Sequence, residues 1–303
     1  MIATTEYERL REAVGLVDRS ARGKFLLTGA DVAEFLQGQL TNDVEALTPG
    51  TGCYAALLDH KGKIRADMRV LRGEDWFWLD CEGIARETLA KTIKMYSLGR
   101  DVKIEDVTDQ RAILSLIGPA SGEALEATPP DTEYSFVEGE HGLHVTTDLG
   151  IDVICEDADA VRDALGIEPV SDDAAECLRI ESGRPRHGLD MGSNTIPEEA
   201  GLNERAVSFE KGCYVGQETV ARLHYKGKPN RFLRGLRLTA EAVTGSPIML
   251  GDRQVGTVGS TCVSPAHGPI ALALIRREAA VGDTVQVGED GIEAELVGLP
   301  FEH

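Results

Sequence analysis

The sequence lacks cysteines that could be read as a pair. Its six, Cys53, Cys81, Cys155, Cys177, Cys213 and Cys262, are spread so that no two are closer than 22 residues. That excludes the short-range spacing of zinc ribbons, thioredoxin-type sites and ferredoxin-type cluster ligands, and no metal site is expected. Long apolar runs are missing too. The longest, such as Ile270 to Ile275, are the size of a core strand, so no membrane partner is expected. Bases are short against acids, 31 to 51, a formal charge of −20, and only nine of the bases are lysine. A general nucleic-acid coat needs a basic face, so no direct nucleic-acid partner is expected. The first residues, MIATTEYERLREAVG, carry acids early and no apolar h-region, which argues against a secretory signal and for the cytoplasm. No heptad pattern or exposed apolar stripe appears, and a monomer is the default.

What the sequence does hold is the material of an ordinary folded protein. At 303 residues, with 42% hydrophobic and 27% charged content, it suits two or three domains with buried cores. One stretch stands out, Glu210 to Arg231 (EKGCYVGQETVARLHYKGKPNR). It sets Lys211, Cys213 and Tyr214 among two glycines, Gly212 and Gly216, which permit close backbone approach or positive φ. A cysteine beside a lysine and between glycines has surroundings that lower a thiol pKa and expose it, although a single cysteine is more often a small core hydrophobe. From Thr219 to Ala240 there is no acid, yet Arg222, Lys226, Lys228, Arg231, Arg234 and Arg237 all occur there. In so acidic a chain this window suits an anionic ligand, or else a solvated strand and turn.

Periodicity outlines the remainder. Thr4 and Thr5 can cap a helix with Tyr7, Leu10 and Val14 on one face and Gly15 as its stop. A strand is expected over Lys24–Thr28. Asp31 and Glu34 resemble a capping box for a helix that buries Val32, Phe35 and Leu36. The period then becomes two: Cys53–Leu58, a turn at Lys61–Gly62, then Ile64, Ala66, Met68 and Val70 alternating, then Trp76–Cys81. Helical spacing of Ala85, Leu89, Ile93 and Tyr96, and strands at Arg100–Val107 and Arg111–Ile117, complete an α+β pattern with a mostly antiparallel sheet. Strands at Tyr134–Val137, Gly142–Thr147 and Ile151–Cys155 follow, with helices over Asp157–Leu165 and Asp172–Ser182. Short strands between glycines after Arg231 suggest a small separate barrel.

The run Lys211–Gly212–Cys213–Tyr214–Val215–Gly216–Gln217–Glu218 resembles the signature of the YgfZ-type folate-binding proteins, members of the fold family of the glycine-cleavage aminomethyltransferase, or T-protein. The resemblance covers most of the chain. Gln39 to Val44, Asp59 to Lys63, Leu178 to Gly183, Ile196 to Leu202, Gly256–Thr257–Val258 and Ile270–Ala271–Leu272 look like further landmarks. It implies an α+β fold with three domains in a cloverleaf around a folate channel. Residues 1–227 would hold two intertwined subdomains and 228–303 a small C-terminal β-barrel. It also implies a tetrahydrofolate-binding accessory protein supporting assembly or repair of iron–sulfur clusters in transient client enzymes, tRNA modification among the processes served. The family's signature cysteine and lysine map onto Cys213 and Lys211, and a pterin-contacting carboxylate onto Glu199.

Chemistry adds further candidates. A carboxylate can accept two adjacent N–H groups of a pterin edge, the role given to Glu199; the alternative for it is a plain helix-start acid. Arg222 and Arg231 would grip the carboxylates of a folate tail, and Tyr214 would supply an aromatic wall. Asn42 and Asp43 are candidates at the channel or simply turn residues. Asp80 is a candidate at a strand end where aminomethyltransferases look Asn-rich, a departure that weakens the transfer reading. Two alternatives therefore stay open: one-carbon transfer from an amine to tetrahydrofolate, and a folate-binding module without chemistry.

Overall fold

The computed structural model describes residues 4–302. The first part of the chain runs α1 (Thr4–Glu12), β1 (Gly15–Asp18), β2 (Gly23–Thr28), α2 (Val32–Gln39), β3 (Thr51–Leu58), β4 (Ile64–Arg72) and β5 (Trp76–Cys81). Next come α3 (Arg86–Tyr96), β6 (Lys103–Asp106), β7 (Ala112–Ile117), β8 (Phe136–Gly139), β9 (Gly142–Thr147) and β10 (Gly150–Cys155). The helices α4 (Ala158–Leu165), α5 (Asp172–Glu181), α6 (Asn203–Ala206) and α7 (Gln217–Lys226) precede six further strands. These are β11 (Arg231–Leu238), β12 (Pro247–Leu250), β13 (Arg253–Ser264), β14 (Gly268–Arg276), β15 (Thr284–Val287) and β16 (Ile292–Val297).

The strands form two five-stranded antiparallel sheets, ordered β1-β7-β10-β9-β8 and β3-β4-β5-β2-β6, and a closed barrel, β11-β14-β13-β12-β15-β16. The α+β class and the small C-terminal barrel expected from the sequence are both present. Two details differ. Gly15 does not merely stop α1; it opens β1, which enters the first sheet beside β7. The capping box at Asp31 does not form: its carboxylate accepts from the Asp101 amide at 2.8 Å, and Glu34 pairs with Arg100.

One face of the second sheet packs on α2 and α3 through Phe25, Phe35, Leu36, Met68, Leu79 and Leu89. Each such fully buried side chain favours folding by about 1.5–3 kcal/mol. The other face meets the first sheet through Leu71, Trp78, Ile113, Phe136, Val145 and Ile154. Strand β4 therefore has both faces covered. The alternating Ala66, Met68 and Val70 are buried on one face of β4, and Asp67 and Arg69 on its opposite face are buried as well. That second face builds the site described next.

The helix α5 packs against β13 and so joins the sheets to the barrel. A buried carboxylate, Asp190, fixes the strap that follows it. Its oxygens accept from the Ser260 amide at 2.7 Å and the Ser260 hydroxyl at 2.8 Å, and Arg179 also pairs with it. A Cβ at Gly259 would lie 2.4 Å from Asp190 Oδ1, so only glycine allows this approach.

Candidate functional site

The signature loop leads into α7 and rests on the end of α2 and the β3–β4 turn. Gly216 has φ +84°, and a Cβ there would lie 2.5 Å from the Asp59 carbonyl oxygen, so glycine is required. Gly212 meets open space instead. Lys211 is buried and turns inward. Its Nζ donates to the carbonyls of Gln37, Leu40 and Asn42 at 2.7, 2.8 and 2.9 Å, closing the C-terminal end of α2. Burial pushes its pKa down to about 8. Tyr214 lies buried beneath it, ring centroid 5.2 Å from Nζ, its hydroxyl pushed up to about 12 by burial. Cys213 is exposed, and its thiol makes no hydrogen bond among the described residues.

The other candidates fall in several places. Asn42 donates to the carbonyls of Tyr54 and Arg205, and Asp43 accepts from Gln37 and the Ala46 amide, so both pin the α2–β3 connection. Arg222 is exposed on α7. Glu199 and Arg231, separately expected to hold the two ends of a ligand, hold each other. Arg231 donates to Glu199 through Nε at 3.1 Å and Nη2 at 2.8 Å. The Leu233 amide also donates to the Glu199 carbonyl, so the pair ties the Ile196–Leu202 segment to the first barrel strand.

Asp80 alone among the candidates lines the central cavity, a space of about 190 Å³ between the two sheets, α5 and the strap after it. Its walls carry seven arginines against six carboxylates, so this interior is balanced where the chain as a whole is strongly acidic. Asp80 accepts from Arg22 Nε at 2.8 Å, Arg69 Nε at 2.7 Å and Trp78 Nε1 at 2.9 Å. Burial opposes its charge, but Arg69 and Arg22 outweigh burial and hold its carboxyl below the usual aspartate value. Arg69 continues to Asp152 at 2.8 Å, and Asp152 accepts from the Ser115 hydroxyl at 2.6 Å.

Within and beside this network some buried polar atoms are left unsatisfied. Asp67 accepts from the Tyr54 hydroxyl at 2.5 Å through Oδ2, while its buried Oδ1 has no hydrogen bond. Burial, the largest influence, raises its pKa. His187 Nδ1, 3.6 Å away, and Arg69 Nη2 are likewise buried without a partner. Tyr134 lines the same cavity with φ +67°, a conformation that costs a non-glycine residue about 1–2 kcal/mol, and its hydroxyl accepts from Arg205 at 3.1 Å. Such strain gathers where a structure holds side chains for a purpose. On the far side of the His187 strap a groove of about 910 Å³ is lined by Arg65, Arg231 and Arg276, and Arg65 and Arg276 form no ion pair among the described residues. Cys213 is not among the residues lining these two cavities.

Sequence periodicity missed Asp67, Arg69 and His187. The available signal was an aspartate and an arginine inside a strand whose neighbours are almost all apolar. Charges in a central strand are buried together or not at all.

Residues 1–142 match the GCVT N-terminal domain and residues 231–302 the glycine cleavage T-protein C-terminal barrel domain. The chloroplastic protein At1g60990 of Arabidopsis thaliana is 31% identical, over 96% of this chain and 72% of that one. The chain belongs to the glycine cleavage T-protein family. An aminomethyltransferase of Staphylococcus carnosus is 29% identical over 96% of this chain and 88% of its own. In fold, the T-protein arrangement is closely kept: the glycine cleavage system aminomethyltransferase T of Bartonella henselae superposes with a TM-score of 0.87, at 23% identity, over 98% of this chain and 89% of that one. No described helix is long and apolar enough to cross a membrane, and no three described His, Cys, Asp or Glu side chains are grouped to hold a metal ion.

Proposed function

We propose that the chain is a tetrahydrofolate-binding protein of the YgfZ type that supports assembly or repair of iron–sulfur clusters in client enzymes of the cytoplasm. The observation that carries the folate part is the unmet hydrogen bonding at Asp67 Oδ1, which lines the central cavity, and at His187 Nδ1, buried 3.6 Å from it. A buried polar atom without a partner costs about 1–3 kcal/mol, which a ligand with polar edges would recover. The space, about 190 Å³, suits a bicyclic head rather than a whole folate, since whole-ligand sites run to about 300–1,000 Å³. Asp67 would hold such a head, with Tyr54 and Tyr134 as its walls. The tail carboxylates would find Arg65, Arg276 and Arg231 in the adjoining groove, the first two with guanidiniums to spare. Tetrahydrofolate would supply a carrier for a one-carbon unit.

The client role rests on Cys213. Its thiol stands exposed on a loop whose geometry Lys211 and Gly216 fix from behind. A lone thiol cannot hold a cluster, so its contact with iron or sulfur would be transient or shared with the client. Titration calorimetry with tetrahydrofolate on wild type and Asp67→Asn tests the first half; binding of equal strength in both would remove it. A deletion strain complemented with wild type or Cys213→Ser tests the second. Restored activity of iron–sulfur enzymes by the serine gene would dispose of the thiol's role.

A second reading, transfer of a one-carbon unit from an amine to tetrahydrofolate, is favoured by Asp67 alone. A carboxyl whose pKa is raised by burial, 3.6 Å from an imidazole nitrogen, can hold and return a proton. Turnover abolished by Asp67→Asn and untouched by Cys213→Ser would select it.

A further inference from the structure

The layer between the two five-stranded sheets has two ends. One is the charged central cavity. The other is a crevice of about 840 Å³, walled by Leu26, Trp76, Trp78, Leu143 and Ile154 and roofed by α4. Same-face residues connect them, since side chains alternate along a strand. On β5, Trp76 and Trp78 face the crevice and Asp80 the cavity; on β10, Ile154 faces the crevice and Asp152 the cavity. Trp78 divides the two spaces, its indole N–H donating to Asp80 at 2.9 Å.

The crevice rim carries four carboxylates, Glu138, Glu140, Glu156 and Asp157, against one guanidinium, Arg111; His141 and the buried Cys155 are the other titratable groups there. Arg111 is already paired with Glu156 at 2.9 Å, and Asp157 is committed to capping α4. Glu138 and Glu140 form no ion pair among the described residues. We propose that this crevice is a second ligand site, taking a small organic cation with an apolar body. Indole faces attract cations through the ring quadrupole, and the energy rises where water is excluded. The apolar walls would bury the body, and the rim would favour a positive head and repel an anionic one. The volume lies in the range of about 300–1,000 Å³ common to small-ligand sites. Nothing in this inference depends on folate.

Both tryptophans of the chain line the crevice, so intrinsic emission reads it directly. The full chain is titrated with octyltrimethylammonium and with octyl sulfate, each below its micelle concentration. Wild type is compared with Ala160→Phe and with the double variant Glu138→Gln/Glu140→Gln. Ala160 lines the crevice from an exposed position on α4, so the added ring fills the space without entering a core. The expected result is a saturable emission change with the cation and at least tenfold weaker binding of the anion. Ala160→Phe should weaken the cation at least tenfold, and the glutamine pair should narrow the difference between the two ions. Ala164→Phe, exposed one turn further on, replaces Ala160→Phe if that variant loses its circular dichroism. No saturable change, equal binding of the two ions, or unaltered affinity in a folded phenylalanine variant would overturn the assignment.

Discussion

Two aspartates in the central cavity show how one environment can push like groups apart. Asp80 is held by Arg69 and Arg22, which outweigh its burial and lower its pKa, while burial prevails at Asp67 and raises it. Their contributions to stability run oppositely with pH. Asp80 favours folding above the ordinary aspartate pKa of about 4, and that contribution is lost as pH falls through its lowered folded value. Asp67 favours folding below about 4 and loses that contribution as pH rises through its raised value. Asp80→Asn should therefore cost about 2–4 kcal/mol at pH 7, by leaving the buried Arg69 and the partly buried Arg22 underpaired, and less in acid. Asp67→Asn should raise the melting temperature by a few degrees at pH 7 and leave it unchanged near pH 3.5. Calorimetric melts of the two variants at both pH values check this, and a loss of stability in Asp67→Asn at pH 7 would contradict it.

Two joints between elements in this fold rest on specific polar contacts. Glu199 and Arg231 link the Ile196–Leu202 segment to β11 through two parallel hydrogen bonds. Removing either partner should cost about 1–3 kcal/mol, and removing both little more, because each change leaves the other underpaired; Lys63 Nζ, 3.8 Å from Glu199, softens the loss of Arg231. A double-mutant cycle in urea measures that coupling; simple additivity would mean the pair contributes nothing jointly. The end of α2 offers a parallel case. Lys211→Met should destabilise by about 2–4 kcal/mol, since three carbonyls lose a charged donor. Gly216→Ala should do comparable damage through its clash with Asp59, while Gly212→Ala, which meets nothing, should be mild. Equal effects of the two glycine changes, read from unfolding curves, would refute the distinction.

For the molecule as a whole, a charge of −20 spread over one chain opposes compaction. Raising salt from about 0.01 M to about 0.3 M should screen that repulsion and raise the melting temperature, since the strongest ion pairs lie inside and are screened less. A lower melting temperature in salt would mean surface pairs matter more than net charge. The same distinction between inside and outside explains what could be read beforehand. Elements buried on one face, such as α2 with Val32, Phe35 and Leu36, were legible because their pattern reports directly on water. The barrel was legible from its glycine-separated strands, although β16 was not. The basic window after Gly216 belongs partly to α7, a helix, where spacing had left a strand and turn open. The central cavity was illegible for a physical reason. Its charges lie on strands covered on both sides, and whether Asp67 meets water or Tyr54 depends on a second sheet far away in sequence.

The eight-letter signature can now be sorted by mechanical duty. Lys211 is a bolt through the end of a helix, Tyr214 its seat and Gly216 a clearance notch, while Gln217 reaches back to the Gly212 carbonyl. Each of those letters would be required by the architecture even in a chain that performed no chemistry. Cys213 has no such duty, and a tolerated replacement there would leave the motif's fixed letters explicable as carpentry.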